Sequence, residues 1–367
     1  MSFWSASVQA QYTVRSGKLT VGNASVMSVY CDLIIQGEVR HRGTLLLHGD
    51  LLANSQFKAT TGSLRLVGNS QRIQTESTAL GRLFVQGGET KQLIGNISLQ
   101  DELQLLDGVL QIPETARLTL TSGAEIRGGS FRSYVDGFLY HSGTGDKFYP
   151  VGKDGTYAPA TLLGIGGSNP VVGMAYFPSP ALEGAPFHWQ QRVLSGTYDG
   201  ARVELTFDDQ NEDYLAYSHE LMVLAAEDTD ESYRPLGQSA LATQGNRFTI
   251  TSDQPTALPL LTVGFNYSTE SQHLYLPNAF SPSAPDAEDR VIKVYGQRIS
   301  DENFYFAIQD PWGNVVYETT SWEEASTRGW DGRFRTLPKG AATYRYLLKG
   351  NFVGGKSFRQ TGTIVQY

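Results

Sequence analysis

The chain has a single cysteine, Cys31, so no intrachain disulfide can form. It has no apolar run approaching the roughly 18 residues that a membrane-spanning helix needs. Cations are in the minority: 29 Lys and Arg stand against 37 Asp and Glu, a net charge of −8. That balance argues against general nucleic-acid binding. The six histidines, at 41, 48, 141, 188, 219 and 273, show no metal-ligand spacing. There is no Gly-x-Ser-x-Gly elbow. Gly164-Ile165-Gly166-Gly167-Ser168-Asn169 has glycines but neither a lysine nor a following helix pattern, so it reads as a turn and not as a phosphate cradle. These absences exclude the common nucleophilic, metal-dependent and nucleotide-binding chemistries, and a non-enzymatic protein is expected.

What the chain has in quantity is glycine, 39 residues, with 19 tyrosines and 17 phenylalanines. Such a mix suits short strands and tight turns better than helices. A length of 367 residues accommodates two or three domains. Residues 1–10 end in Ser7-Val8-Gln9-Ala10, small residues three apart as in a signal-peptidase site, and are read as a signal-peptide remnant. Ser28-Val29-Tyr30-Cys31 is a poor lipidation site because Tyr30 is too large, so Cys31 is expected to be a buried, inert thiol.

A repeat runs from Gly17 to about Ser133. Gly43-Thr44-Leu45-Leu46-Leu47-His48-Gly49 recurs as Gly62-Ser63-Leu64-Arg65-Leu66-Val67-Gly68 and as Gly81-Arg82-Leu83-Phe84-Val85-Gln86-Gly87, each start 19 residues after the last. Asp101-Glu102-Leu103-Gln104-Leu105-Leu106-Asp107-Gly108 is a looser fourth copy. Apolar residues alternate in each copy, which is the period of a strand with one buried face. A fixed period near 20 residues without a helix signal predicts a β-solenoid, whose coils bury their apolar sides only by stacking. Units around Leu33-Ile35-Gly37 and Leu118-Leu120-Gly123 are expected as irregular or capping coils. The competing arrangement is an antiparallel meander.

From 135 to 268 the repeat stops. Arg202–Phe207, Glu220–Leu224, Arg247–Ile250 and Leu260–Phe265 alternate like strands, predicting an antiparallel β-sandwich. Residues 135–270 carry six basic against seventeen acidic groups, a net −11, and Asp208 to Glu231 includes nine acids and no Lys or Arg. Asp208, Asp209, Glu212 and Asp213, with Asp228, Asp230 and Glu231 beyond, are the candidate Ca²⁺ ligands, because clustered carboxylates can converge on a hard cation. The alternative is a solvated acidic loop. Tyr134, Phe138, Tyr140, Phe148, Tyr149 and Tyr157 bunch near the junction, as inter-domain packing or as a ligand shelf.

The last segment, 269–367, reads as an Ig-like sandwich of about seven strands, including Val291–Tyr295, Phe304–Ile308, Val315–Tyr317, Thr343–Leu348 and Gly362–Val365. Pro311-Trp312-Gly313-Asn314 reads as a hairpin turn, and Trp330-Asp331-Gly332 as a turn whose Trp packs back on the sheet. The fold class is therefore all-β: a right-handed parallel β-solenoid, a β-sandwich and a C-terminal Ig-like β-sandwich.

The order of landmarks in this segment resembles one known family. It opens on Leu276-Pro277-Asn278-Ala279-Phe280-Ser281-Pro282. It continues through an aromatic strand into Trp312-Gly313, then Val315-Val316-Tyr317-Glu318, Trp330-Asp331-Gly332 and Tyr344-Arg345-Tyr346, and closes on Gly362-Thr363. This layout is similar to the gliding-motility-associated C-terminal domain, the type B sorting domain of type IX secretion. Ser133–Gly137 followed by Lys147–Gly152 also resembles a passage in large surface proteins of that system, where a solenoid gives way to a sandwich. The resemblance implies passage through the type IX translocon, display at the cell surface and attachment to a PorP/SprF-like outer-membrane barrel. A PorA-like structural or signalling component is the narrower expectation.

Where the family carries an Asn-Gly-Asp-Gly-x-Asn-Asp loop, this chain has Ser283-Ala284-Pro285-Asp286-Ala287-Glu288-Asp289, which lacks the glycines and most ligands of a cation-binding turn. The last two residues, Gln366-Tyr367, stand where members often carry an apolar pair and a basic residue. The expected partner contacts are Asp310, Trp312, Gly313 and Asn314 on the hairpin, and Ile364, Val365 and Tyr367 on the final strand, since hairpin tips and edge strands are free to pair. The alternatives are an adhesin binding a glycan or protein through residues 11–270, and a polysaccharide-active enzyme. The enzyme is the weaker of the two, since the solenoid strands expose mostly Arg, Gln, Ser and His.

Overall fold

The structure is a computed structural model. It describes residues 10–15, 18–54, 57–179, 187–209, 214, 218–228, 233–265, 274–334, 337–338, 342–352 and 357–367. The expected signal remnant, 1–10, falls almost wholly outside these residues. The protein is all-β, with 63% strand and 4% helix, and contains a β-solenoid of about six turns.

Each coil of the solenoid contributes a strand to each of three parallel ladders. The first stacks Gln11–Val14, Asp32–Ile35, Leu51–Ala53, the starts of Gln71–Val85 and Thr90–Leu105, then Val109–Ile112 and Val135–Gly137. The second includes Lys18–Val21, Glu38–His41, Arg117–Leu120 and Leu139–Ser142. The third stacks Val26–Val29, Thr44–Leu47, the ends of Phe57–Leu66, Gln71–Val85 and Thr90–Leu105, and Glu125–Gly128.

The 19-residue repeat is the third ladder: Leu45 pairs with Leu64, Leu64 with Leu83, and Leu83 with Leu103. The pairing is parallel, so the meander is ruled out. Leu47, Leu66, Val85 and Leu105 form the neighbouring column, all buried. A fully buried Leu or Val contributes about 1.5–3 kcal/mol, so each added coil stabilises its neighbours.

Leu33, Ile35, Leu118 and Leu120 do not belong to irregular caps. They are buried residues of regular strands on the other two ladders. The 19-residue spacing belongs to one ladder, and strands on the other two fall between its repeats. Cys31 is half-buried at a coil corner and not buried as expected.

Two coil corners show why the repeat needs its glycines and its polar residues. A Cβ on Gly68 would overlap the His48 carbonyl oxygen of the preceding coil. Gly68→Ala is therefore expected to cost about 1–3 kcal/mol, measured as a lower denaturation midpoint at unchanged slope. Inside the same corner, the Gln71 amide donates to the carbonyls of Leu47 (3.0 Å) and Gly49 (2.6 Å) and accepts the Gly68 N–H (3.0 Å). One coil on, the Lys91 ammonium donates to the carbonyls of Gly68 (2.6 Å), Gly88 (2.5 Å) and Asn69, with no surface of Lys91 left exposed.

The boundary expected at 134/135 is crossed by hydrogen bonding. Leu139–Ser142 pairs parallel with Arg117–Leu120 and antiparallel with Val171–Phe177. The sheet then runs through His188–Ser195, Leu260–Phe265, Leu221–Ala226 and Arg234–Gly237. Solenoid and middle segment therefore share one compact unit, up to Val263. A second sheet has the order Gly145–Tyr149, Ala160–Ile165, Arg202–Asp208, Arg247–Thr251 and Ala240–Gln244. Buried aromatics fill this region. The Trp189 indole donates to the Ala158 carbonyl (2.8 Å), the Tyr149 hydroxyl donates to that of Val172 (3.0 Å), and Phe207 stacks on Phe248.

The second compact unit is chiefly Gly264–Tyr367. Its main sheet has the order Ala279–Phe280, Ser357–Gln366, Ala342–Phe352, Ile299–Gln309 and Val315–Thr319. Phe280, Phe304, Phe306, Ile308, Trp330, Tyr344, Leu348 and Ile364 are in its core. Trp330 packs edge-on against Tyr344 at 4.8 Å, and its indole N–H donates to the Arg333 carbonyl. Val291–Tyr295 does not form the expected strand. Ile292 bridges to Trp330, Val294 donates to the carbonyl of Ala325, and only Tyr295–Gly296 forms a ladder, with Leu274–Tyr275. Ala325, which accepts the Val294 N–H, lies in a π-helical turn, Glu324–Arg328.

Candidate functional site

The residues singled out on the terminal hairpin divide into two roles. Asp310 directly follows Ile299–Gln309 and is buried. Its carboxylate accepts the N–H groups of Trp312 (3.1 Å) and Asn314 (2.9 Å) and the Asn314 side-chain amide (3.1 Å). Gly313 takes φ 88°, a conformation that suits glycine, and its N–H donates to the Asp310 carbonyl at 3.0 Å. Asp310, Gly313 and Asn314 thus build the turn, and what the turn presents is Trp312, 80% exposed.

The final strand divides in the same way. Ile364 is fully buried against the core and is not a surface contact, which corrects its assignment as one. Its neighbour Val365 is 40% exposed and Tyr367 is 70% exposed. Side chains alternate along a strand, so consecutive residues cannot both face a partner. The end of this strand is not an open edge either, because Val365 and Gln366 pair with Ala279 and Phe280.

Pairing of Gln309 with Arg345 and of Arg345 with Thr363 puts the hairpin tip and the chain's last residues at one end of the sheet. Val315, 38% exposed and paired with Gln309, belongs to the same end. Trp312, Val315, Val365 and Tyr367 are therefore exposed at the same end of the sheet, with the polar Gln309, Arg345 and Thr363 between them. Sequence reading missed Val315, although its place next to buried Val316 carries the alternation that would find it. It also missed Arg345, Lys349 and Arg359, exposed residues on the adjacent strands Ala342–Phe352 and Ser357–Gln366.

The acidic candidates are less concentrated. Asp208 accepts from the Arg247 guanidinium at 2.8 Å, and that guanidinium also donates to the Tyr157 carbonyl at 2.9 Å. Asp209 is buried and accepts the Tyr214 N–H at 3.0 Å. Glu212 and Asp213, like Asp230 and Glu231, lie outside the described residues. Among the described residues no group of three His, Cys, Asp or Glu converges as a cation site.

Of the junction aromatics, Tyr134, Phe138, Tyr140 and Tyr149 are buried and Tyr157 is half-buried; Phe148 alone is exposed. They pack rather than form a shelf. Phe138 lies under the Arg192 guanidinium at 4.0 Å.

The solenoid carries a polar cleft of about 480 Å³, lined by residues that include Asp32, Asp50, Arg72, Gln92 and Gln111. These are successive outward positions of the first ladder. Asp50 holds the Arg72 guanidinium at 2.8 Å, and Asp32 accepts the Asp50 N–H at 2.9 Å. The cleft thus presents amides, a carboxylate and the outer nitrogens of Arg72, a set suited to an uncharged, hydrogen-bonding ligand. The chain matches no protein-family model and no curated protein.

Proposed function

We propose that this is a cell-surface protein exported by a type IX secretion system. Its terminal domain would hold it at the outer membrane on a PorP/SprF-like barrel, as a structural or signalling component of that apparatus. In this reading a right-handed parallel β-solenoid and an acidic β-sandwich form the displayed part, and an Ig-like sandwich forms the anchor. The observation that carries it is the pair of exposed aromatics, Trp312 and Tyr367, at one end of the terminal sheet. Trp312 is held out by a turn whose own polar groups are satisfied internally, so the indole is positioned without contributing to the core. Exposed, rigidly mounted Trp and Tyr residues are the usual anchors of protein interfaces.

Full-length protein recovered from detergent-solubilised outer membranes is expected to carry a PorP/SprF-like barrel with it. Trp312→Ala is expected to weaken that association by about 2 kcal/mol, roughly thirtyfold, while the melting temperature stays unchanged. Recovery of no barrel by the unaltered protein would refute the reading. A second reading, an adhesin, is favoured by the solenoid cleft. It predicts glycan-array binding that is lost in Arg72→Ala.

A further inference from the structure

Among the described residues, one flank of the terminal sheet is left largely unpaired. Along Ser357–Gln366, the N–H of Val365 donates to the carbonyl of Asn278 (2.9 Å), and that of Tyr367 to Phe280 (3.2 Å). Pairing with Ala342–Phe352 runs without a register shift from Gln366 back to Ser357. Strand N–H groups alternate sides, so Thr363, Thr361, Arg359 and Ser357 point theirs to the same flank as Val365. Ala279–Phe280 covers only Val365 and Gln366. Immediately upstream the chain turns away, and Leu274–Tyr275 pairs with Tyr295–Gly296. Among the described residues, nothing pairs with the flank from Ser357 to Thr363.

The side chains beside this flank are unusual in charge. Lys349 stands directly opposite Arg359, and Arg345 directly opposite Thr363, all on the outer face. Like charges directly opposite each other destabilise a ladder. Among the described residues none of the three cations has a carboxylate partner. The acid on this face, Glu318, lies on the far strand and accepts the Tyr305 hydroxyl at 3.2 Å. Charges that merely protect an edge from aggregation belong on the edge strand itself. Here two of the three, Arg345 and Lys349, are one strand further in.

We propose that this flank accepts an extended segment of a partner protein as an added strand, continuing the row begun by Ala279–Phe280. Acidic side chains at alternate positions of that segment would lie against Arg359, Lys349 and Arg345. Main-chain hydrogen bonds supply the binding and the cation cluster selects the sequence. The flank does not include Trp312, so it can fail or succeed independently of the barrel-docking end.

The test uses the full-length protein and two fluorescent ten-residue peptides, one alternating Thr and Glu, the other alternating Thr and Lys, read by anisotropy. The Thr/Glu peptide is expected to bind and the Thr/Lys peptide to bind at least about tenfold more weakly, equivalent to 1.4 kcal/mol. Thr361→Pro removes an N–H aimed at the flank but no bond to Ala342–Phe352, and is expected to abolish binding. Should that variant prove unstable, Arg359→Glu, at an exposed site, is expected to weaken Thr/Glu binding and narrow the difference between the two peptides. Trp312→Ala should leave peptide binding unchanged. No saturable Thr/Glu binding up to about 1 mM, equal binding of both peptides, or binding that survives both flank variants would each overturn the proposal.

Discussion

Lys91→Met is expected to destabilise the solenoid unit by about 3–5 kcal/mol. The side chain starts on Thr90–Leu105 and its amine reaches a corner where the carbonyls of Gly68, Asn69 and Gly88 converge. An ammonium has three N–H donors and no acceptor, so the match is complete. Burial lowers the Lys91 pKa, while Glu89 and Asp107 act in the opposite direction. The charge is kept in the interior because every donor is used. Methionine is similar in length but leaves three inward-facing carbonyls without a partner. Each unsatisfied buried group costs about 1–3 kcal/mol, and partial relaxation reduces the sum. For a unit of this size the melting temperature should fall by roughly 6–12 °C at the lower end of that range. Gln71→Leu in the neighbouring coil should cost less, because a neutral amide is lost. A Lys91→Met variant as stable as the parent would mean that the corner is open to water.

Acid is the second large perturbation. His141, inside the last part of the solenoid stack, has its pKa lowered to about 4, first by burial, then by Lys147, with the Phe148 carbonyl acting in the opposite direction. Burial is also the leading cause of the lowered pKa values of His41 and His188. An unfolded histidine takes up its proton near pH 6.5, whereas folded His141 resists until about pH 4. Between these values the unfolded state binds more protons, so stability is intact above pH 6.5 and falls as the pH is lowered. Across that window His141 alone accounts for about 3 kcal/mol.

Asp136 works the other way. Burial raises its pKa, so its contribution grows as the pH falls toward the carboxylate range and offsets part of the loss. Denaturant titrations at pH 7.5 and 4.5 should show the decline. His141→Phe, which keeps a ring against Tyr149, should flatten it. An unchanged slope in that variant would place the acid sensitivity elsewhere.

Much of the architecture was legible because it rests on local period. Leu45/Leu47 and Leu64/Leu66 alternate within strands, and glycines recur where coils turn. The two signals together specify stacked coils. The repeat nevertheless exposed only one ladder, since the strands carrying Leu33 and Leu118 follow different turn residues. The candidate site was legible in part. Pro311–Asn314 is a turn as expected, and Trp312 is its exposed residue. Ile364 was misplaced because an apolar residue near a chain end carries no label for inside or outside until its strand is paired. Val291–Tyr295 alternates like a strand, but competing bonds to Trp330 and Ala325 take its backbone instead.

Sequence by itself determined that this protein is built of strands, that its first third repeats and that its acids concentrate in the middle. Those properties depend on neighbours in the chain. Only the tertiary structure decided that Lys91 meets three carbonyls of adjacent coil corners and that His141 is enclosed. It also decided that Asp310 turns inward to hold Trp312 out, and that Arg359 faces Lys349 beside an unpaired flank. Each of these depends on register between segments distant in sequence, and register is set by packing, which no local pattern records.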